Sequence, residues 1–212
     1  MQAWIYGKII KPGSKSFYRL TKPVVFLLCL LPLAMLILRA FEIGGLGLGA
    51  NPIEELLHDL GRWGLKFLLI TLLVTPLRRW TGWNWLIRFR RMLGLFAFFY
   101  ILLHFLVYAI LDQGLDMAAI VEDVIKRPYI TLGMTALILL IPLVITSTRG
   151  MMRRLGKSWL KLHRLVYVIA ILAVWHFYWQ VKLDTLDASI YALILVFLLA
   201  TRVYNSYRSR TG

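Results

Sequence analysis

Along the chain, apolar runs long enough to cross a bilayer alternate with short polar blocks rich in lysine and arginine. A spanning helix needs roughly 20 apolar residues. Five stretches approach that length: Pro23 to Leu38, Met92 to Leu111, Tyr129 to Thr148, Leu165 to Val181 and Ala188 to Thr201. A sixth, from about Leu56 to Leu77, is needed to connect the first two; its outer half carries His58, Asp59, Arg62 and Lys66, so only its inner half is cleanly apolar. The pattern predicts an all-α integral membrane protein, a six-transmembrane-helix bundle. Residues 1–22 form an N-terminal segment before it, residues 23–204 the transmembrane domain, and residues 205–212 a tail.

Composition agrees: 60% hydrophobic residues, 17% charged residues and a mean hydropathy of +0.72 over 212 residues leave too little polar surface for a soluble domain. A net charge of +15 would point to nucleic acid in a soluble chain. Here the basic residues sit in blocks between apolar runs, the pattern of cytoplasmic loops, so no nucleic-acid partner is expected. With both termini cytoplasmic, 19 of the 25 basic residues lie inside. All ten acidic residues (Glu42, Glu54, Glu55, Asp59, Asp112, Asp116, Glu122, Asp123, Asp184 and Asp187) then fall outside, and that asymmetry sets the expected orientation. The N-terminal block of Lys8, Lys11, Lys15, Arg19 and Lys22 resembles the basic region of a signal peptide, but it is long and no small-x-small cleavage site follows, so it reads as a retained anchor. The single cysteine, Cys29, lies in an apolar run and is expected to be a buried free thiol. No internal repeat stands out, and no stretch has room for a soluble nucleotide-binding domain, so any NADPH-binding or catalytic module belongs to another protein.

An intramembrane histidine costs several kcal/mol unless partnered and is therefore a functional candidate. His104 lies about 4 Å outward of the midpoint of its span, and His176 about 4 to 5 Å outward in a span of the same direction, at 1.5 Å per residue. Two imidazoles at one depth on parallel helices are what axial ligation of one haem requires. The competing reading is that each hydrogen-bonds a neighbouring helix and packs. His163, thirteen residues before His176, sits about 20 Å lower. It reads equally as a ligand of a second haem or as an interfacial residue, because no histidine of the third span matches its depth, where Arg90 and Arg91 stand instead. His58, Arg62 and Lys66 are spaced i, i+4 and i+8 and form one stripe. That stripe suits haem propionates or a quinone headgroup; snorkelling beside Glu54, Glu55 and Asp59 is the alternative. Trp80, Trp83, Trp85, Trp159, Tyr178 and Trp179 flank the spans as interfacial anchors.

Four segments carry a family resemblance: NPIEELLHDLGRWGLKFLLITLLVTPLRR (51–79), LIRFRRMLGL (86–95), KRPYITLG (126–133) and TSTRGMMRRLGKSWLKLHRLVYVIAILAVWHFYW (146–179). In these the chain resembles the MsrQ (YedZ) family, haem-binding membrane subunits of the bacterial periplasmic methionine-sulfoxide reductase system, within the ferric-reductase-like transmembrane superfamily. The resemblance implies a multi-pass b-type cytochrome of the inner membrane that takes electrons from the quinone pool or a cytoplasmic flavin reductase. It passes them to a periplasmic molybdopterin-dependent reductase that repairs oxidised methionines, and has no complete catalytic site of its own. It places the haem ligands on His104 and His176, with His163 as a third, and associates FMN with the family, although no flavin fingerprint is present. In the related NADPH oxidases the third and fifth helices carry two histidines each, whereas this chain has only His104 on the third, which leaves the second haem open. The rival class is a small transporter or channel lined by His104 and His176; spans nearly free of carboxylates, with no paired inverted repeat, argue against it. The acidic loops Glu42 to Asp59 and Asp112 to Asp123 read either as a docking face for the periplasmic partner or as ordinary solvated loops.

Overall fold

The computed structural model describes residues 12–45, 47–181 and 185–211. Lys8, Lys11, Lys182 and Asp184, which enter the charge balance above, lie outside the described residues. Among those residues the chain is helical and holds no strand. The helices are α1 (Lys15–Ala40), α2 (Pro52–Thr81), α3 (Arg90–Leu106), α4 (Met117–Lys126), α5 (Pro128–Ile145), α6 (Arg149–Leu155), α7 (Lys157–His163), α8 (Leu165–Gln180) and α9 (Leu186–Thr211). Six stretches are long and apolar enough to cross a membrane: α1, α2, α3 with the π-helical turn Val107–Asp112 that continues it, α5, α7 with α8, and α9.

The helix starts follow from local chemistry. The Ser14 hydroxyl accepts from the Phe17 amide, Asn51 caps α2 ahead of Pro52, and the Asp116 carboxylate accepts from the amides of Ala118 and Ala119. α2 ends on Gly82, whose φ of 72° is the left-handed cap that glycine adopts without a Cβ penalty. α1 begins at Lys15, inside the segment expected to precede the membrane domain, and α9 runs on through the expected tail to Thr211.

α2 is the central helix and the most enclosed of the six spans. It packs on α3 along its length, while α5 pairs with α8 in a second hairpin, and α1 and α9 close the outside. Leu68 and Leu72 of α2, Ala97 and Tyr100 of α3, and Ile169 and Ala170 of α8 form the buried centre. The central position accounts for the polar outer half of α2, because Glu55, Asp59 and Arg62 find partners within the protein. Arg39 of α1 pairs there with Glu55 and Asp59 of α2, and Asp59 also takes Arg62.

Pro32 interrupts α1, and a side chain repairs the interruption. The fully buried Tyr100 hydroxyl donates to the Cys29 carbonyl at 2.8 Å and accepts from the Leu33 amide at 3.1 Å, standing between two groups that an unbroken helix would join directly. The fifth span is also broken: α7 ends at His163, Arg164 turns, and α8 starts at Leu165. His163 is therefore the last residue of α7, one turn residue away from the helix of His176.

Candidate functional site

His104 lies in the last turn of α3, just before the backbone widens into the π-helical turn. Its Nδ1 is 2.9 Å from the carbonyl oxygen of Leu57 on α2. A carbonyl can only accept, so Nδ1 carries the proton and Nε2 keeps its lone pair, the tautomer of a metal ligand. The ring reaches that carbonyl because Gly61 has no side chain: a Cβ there would lie 3.1 Å from Nδ1 and 3.2 Å from Cε1.

His176 on α8 repeats the arrangement. Its Nδ1 is 2.7 Å from the carbonyl oxygen of Tyr129 on α5, and a Cβ on Gly133 would lie 2.9 Å from Nδ1 and 3.0 Å from Cε1. Each histidine thus uses a glycine and the carbonyl four residues before it, on the partner helix of its hairpin. The two sets are offset by the same 72 residues: 57 to 129, 61 to 133 and 104 to 176. The two hairpins form a structural repeat that sequence inspection did not find.

The two rings face one another across a cavity of about 380 Å³, with centroids 6.1 Å apart and planes at 75°. A metal–imidazole bond of about 2 Å on each side, with about 1 Å more from nitrogen to ring centre, spans about 6 Å, so the separation of the two ring centres is compatible with one metal ion held by both. Leu65, Ile101, Phe105, Ile130, Leu137, Ile169 and Phe177 supply apolar walls, as a macrocycle requires.

The polar mouth of the cavity includes His58, Arg62, Tyr108, Arg127 and Gln180. His58 Nε2 contacts the Gln180 amide nitrogen at 2.7 Å, and Arg62 donates to Asp59 at 2.6 Å. Arg127 pairs with Asp123 at 3.0 Å, and Tyr108 donates to the same carboxylate at 3.1 Å. A hydrogen bond with Tyr129, together with Asp123, holds the Arg127 guanidinium further above its ordinary pKa, so it stays charged. Lys66, the third member of the sequence stripe, turns away and lies 4.4 Å over the Trp63 ring. His163 is remote from the cavity lining: its Nε2 is 3.0 Å from the Thr146 hydroxyl and its ring stacks on Trp159 at 4.0 Å. Sequence reasoning missed Arg127, Tyr108, Gln180 and the two glycines, since each matters only through the helix it faces.

The family described as ferric reductase like transmembrane component matches residues 60–174, a stretch that includes His104 and His163 and stops two residues before His176. A Rhodospirillum rubrum protein called protein-methionine-sulfoxide reductase heme-binding subunit MsrQ is 53% identical over 205 residues, covering 96% of this chain and 95% of its own length. The chain belongs to the MsrQ family. Members from Herminiimonas arsenicoxydans and Ralstonia nicotianae are 49% and 48% identical, over 91% and 90% of this chain and 88% of their own lengths. No solved structure matches. Within the MsrQ family, the resemblance that residues 51–179 carry in sequence thus extends over nearly the whole chain.

Proposed function

We propose that this chain is the b-type cytochrome subunit of a methionine-sulfoxide reductase system in the bacterial inner membrane, with haem held between His104 and His176. The observation that carries the reading is the facing pair of imidazoles, 6.1 Å between centroids, each turned by a backbone carbonyl into the ligating tautomer. The names of the relatives support it, since they describe a heme-binding subunit.

When bound, haem supplies reversible one-electron exchange. The residues of the chain do the rest. Leu57 and Tyr129 orient the two rings and raise their basicity as ligands. The apolar walls of α2, α3, α5 and α8 exclude water. Arg62 and Arg127, which line the cavity and are held by Asp59 and Asp123, would give their remaining N–H donors to the propionates, with His58 and Gln180 beside them. Lys66 has no part in this reading. For His163 to hold a second haem, Nε2 must release Thr146, and none of the three other histidines stands opposite it; the reading therefore counts one haem. The acidic end faces the periplasm and a molybdopterin-dependent reductase subunit, while electrons enter from the quinone pool or from a cytoplasmic flavin reductase. FMN rests on family resemblance alone and is assigned to no residue.

The test is electron delivery. Purified protein, reduced with dithionite and freed of excess reductant, should show a reduced b-type spectrum. Under anaerobic conditions it should reoxidise fully on addition of a trace of the periplasmic reductase with methionine sulfoxide, whereas the sulfoxide alone leaves it reduced and the trace of reductase alone removes no more electrons than that reductase can hold. A colourless protein from haem-replete cells would overturn the cytochrome reading in favour of a transporter.

A further inference from the structure

At the basic end of the bundle, remote from the haem cavity, two guanidinium groups converge on one turn of α2. Arg202 of α9 donates from Nη2 to the Leu72 carbonyl at 3.1 Å and from Nη1 to the Tyr167 hydroxyl, with its guanidinium carbon 4.9 Å from the Tyr167 ring centroid. Its Nε is the only buried side-chain nitrogen or oxygen without a hydrogen-bond partner among the described residues. Arg90, the first residue of α3, reaches Thr75, one turn beyond Leu72, but Nη1 is 3.5 Å from Oγ1, too long for a strong bond. Leu72 and Thr75 are three residues apart on α2, so the two guanidinium groups meet on neighbouring positions of one helix. No carboxylate offsets them, because the chain has no acidic residue between Asp59 and Asp112, between Asp123 and Asp184, or after Asp187.

Neighbouring like charges in a low-dielectric interior repel strongly, and charges held inside a membrane protein are normally paired. A buried donor left without an acceptor marks a missing partner. Two planar guanidinium forks suit a tetrahedral oxyanion, which accepts from both at once. We propose that Arg90 and Arg202 form a binding site for a phosphate group at the basic end of the bundle, among α2, α3, α8 and α9. The phosphate belongs either to an anionic phospholipid headgroup or to a soluble phosphate compound. Neither arginine lines the haem cavity, so the site is separate from it and does not depend on the cytochrome reading.

The full chain, delipidated in an uncharged detergent, is melted with inorganic phosphate, with short-chain phosphatidylglycerol, or with sodium chloride at matched ionic strength. The wild type is expected to melt several degrees higher with phosphatidylglycerol than with chloride, and the shift to vanish in Arg90→Gln and in Arg202→Gln. An equal response to inorganic phosphate assigns the site to free phosphate, and a response to the lipid alone assigns it to a headgroup. No shift with either probe, or an undiminished shift in both variants, overturns the proposal. Should Arg202→Gln fail to fold, Arg90→Gln decides: among the described residues its side chain makes only the long bond to Thr75, so a folded variant that keeps the full shift is contrary to the proposal.

Discussion

At the scale of single residues, the site depends on atoms that are missing as much as on those present. Gly61 and Gly133 let two imidazoles lie against helix backbone, and a Cβ at either position would meet ring atoms at 2.9–3.2 Å. Glycine to alanine inside a helix ordinarily gains about 1 kcal/mol. Gly133→Ala, with the closer approach, should instead lower haem occupancy more than Gly61→Ala does, read as absorbance per chain; a Gly133→Ala protein with full haem content would contradict the arrangement. Arg62→Gln removes a cation beside the cavity mouth, which favours the more positive ferric state and should lower the haem midpoint potential by some tens of millivolts; potentiometric titration checks the sign. The histidines were legible in the sequence because a polar ring at membrane depth needs a partner. The glycines and Arg127 were not, since their roles arise from residues 43 positions away in sequence or from another helix end. Lys66 shares the face of α2 that i, i+4, i+8 spacing defines, but spacing does not say where a long side chain turns, and its ammonium lies over the Trp63 ring.

At the scale of elements, the hydrophobic runs located every span, but their ends moved by as much as ten residues, the span 188–201 running on to Thr211, where polar and basic flanks extended the helices. What the runs could not show were departures from regular helix. The fifth span tightens at Arg164, where the Arg164 amide bonds the Lys161 carbonyl and the Tyr167 amide bonds the Arg164 carbonyl. The π-helical turn after His104 and the short α4 are likewise absent from any periodicity argument. The repair at Pro32 gives the clearest energetic test. Tyr100→Phe keeps the ring but leaves the Leu33 amide and the Cys29 carbonyl without the bridging hydroxyl. That should destabilise the protein by about 1–3 kcal/mol, measured as a lower melting temperature in detergent with haem content unchanged at low temperature. An unchanged melt would show that water or a backbone shift replaces the hydroxyl.

At the scale of the whole molecule, two hairpins related by a 72-residue offset each present one histidine to a shared cavity, and α1 and α9 complete the six-helix bundle. The repeat is written in hydrogen bonds and glycine contacts, while the residues between differ. Gly64 lies against Ile101, and the positions 72 residues on are Ala136 and Ala173, so the residue types change between the two halves and hide the repeat from inspection. Charge asymmetry predicts that the basic end is cytoplasmic. A fluorescent protein fused after Gly212 should therefore fold and fluoresce, while an alkaline phosphatase fusion at the same point stays inactive; the reverse would invert the bundle. The central claim concerns the pair in the cavity, and the most direct measurement is the dithionite-reduced minus oxidised visible spectrum of the wild type beside His104→Ala, His176→Ala and His163→Ala. The account predicts b-type bands near about 560 nm in the wild type, lost in the first two variants and retained in the third. Full bands in either His104→Ala or His176→Ala would place the haem elsewhere and contradict it.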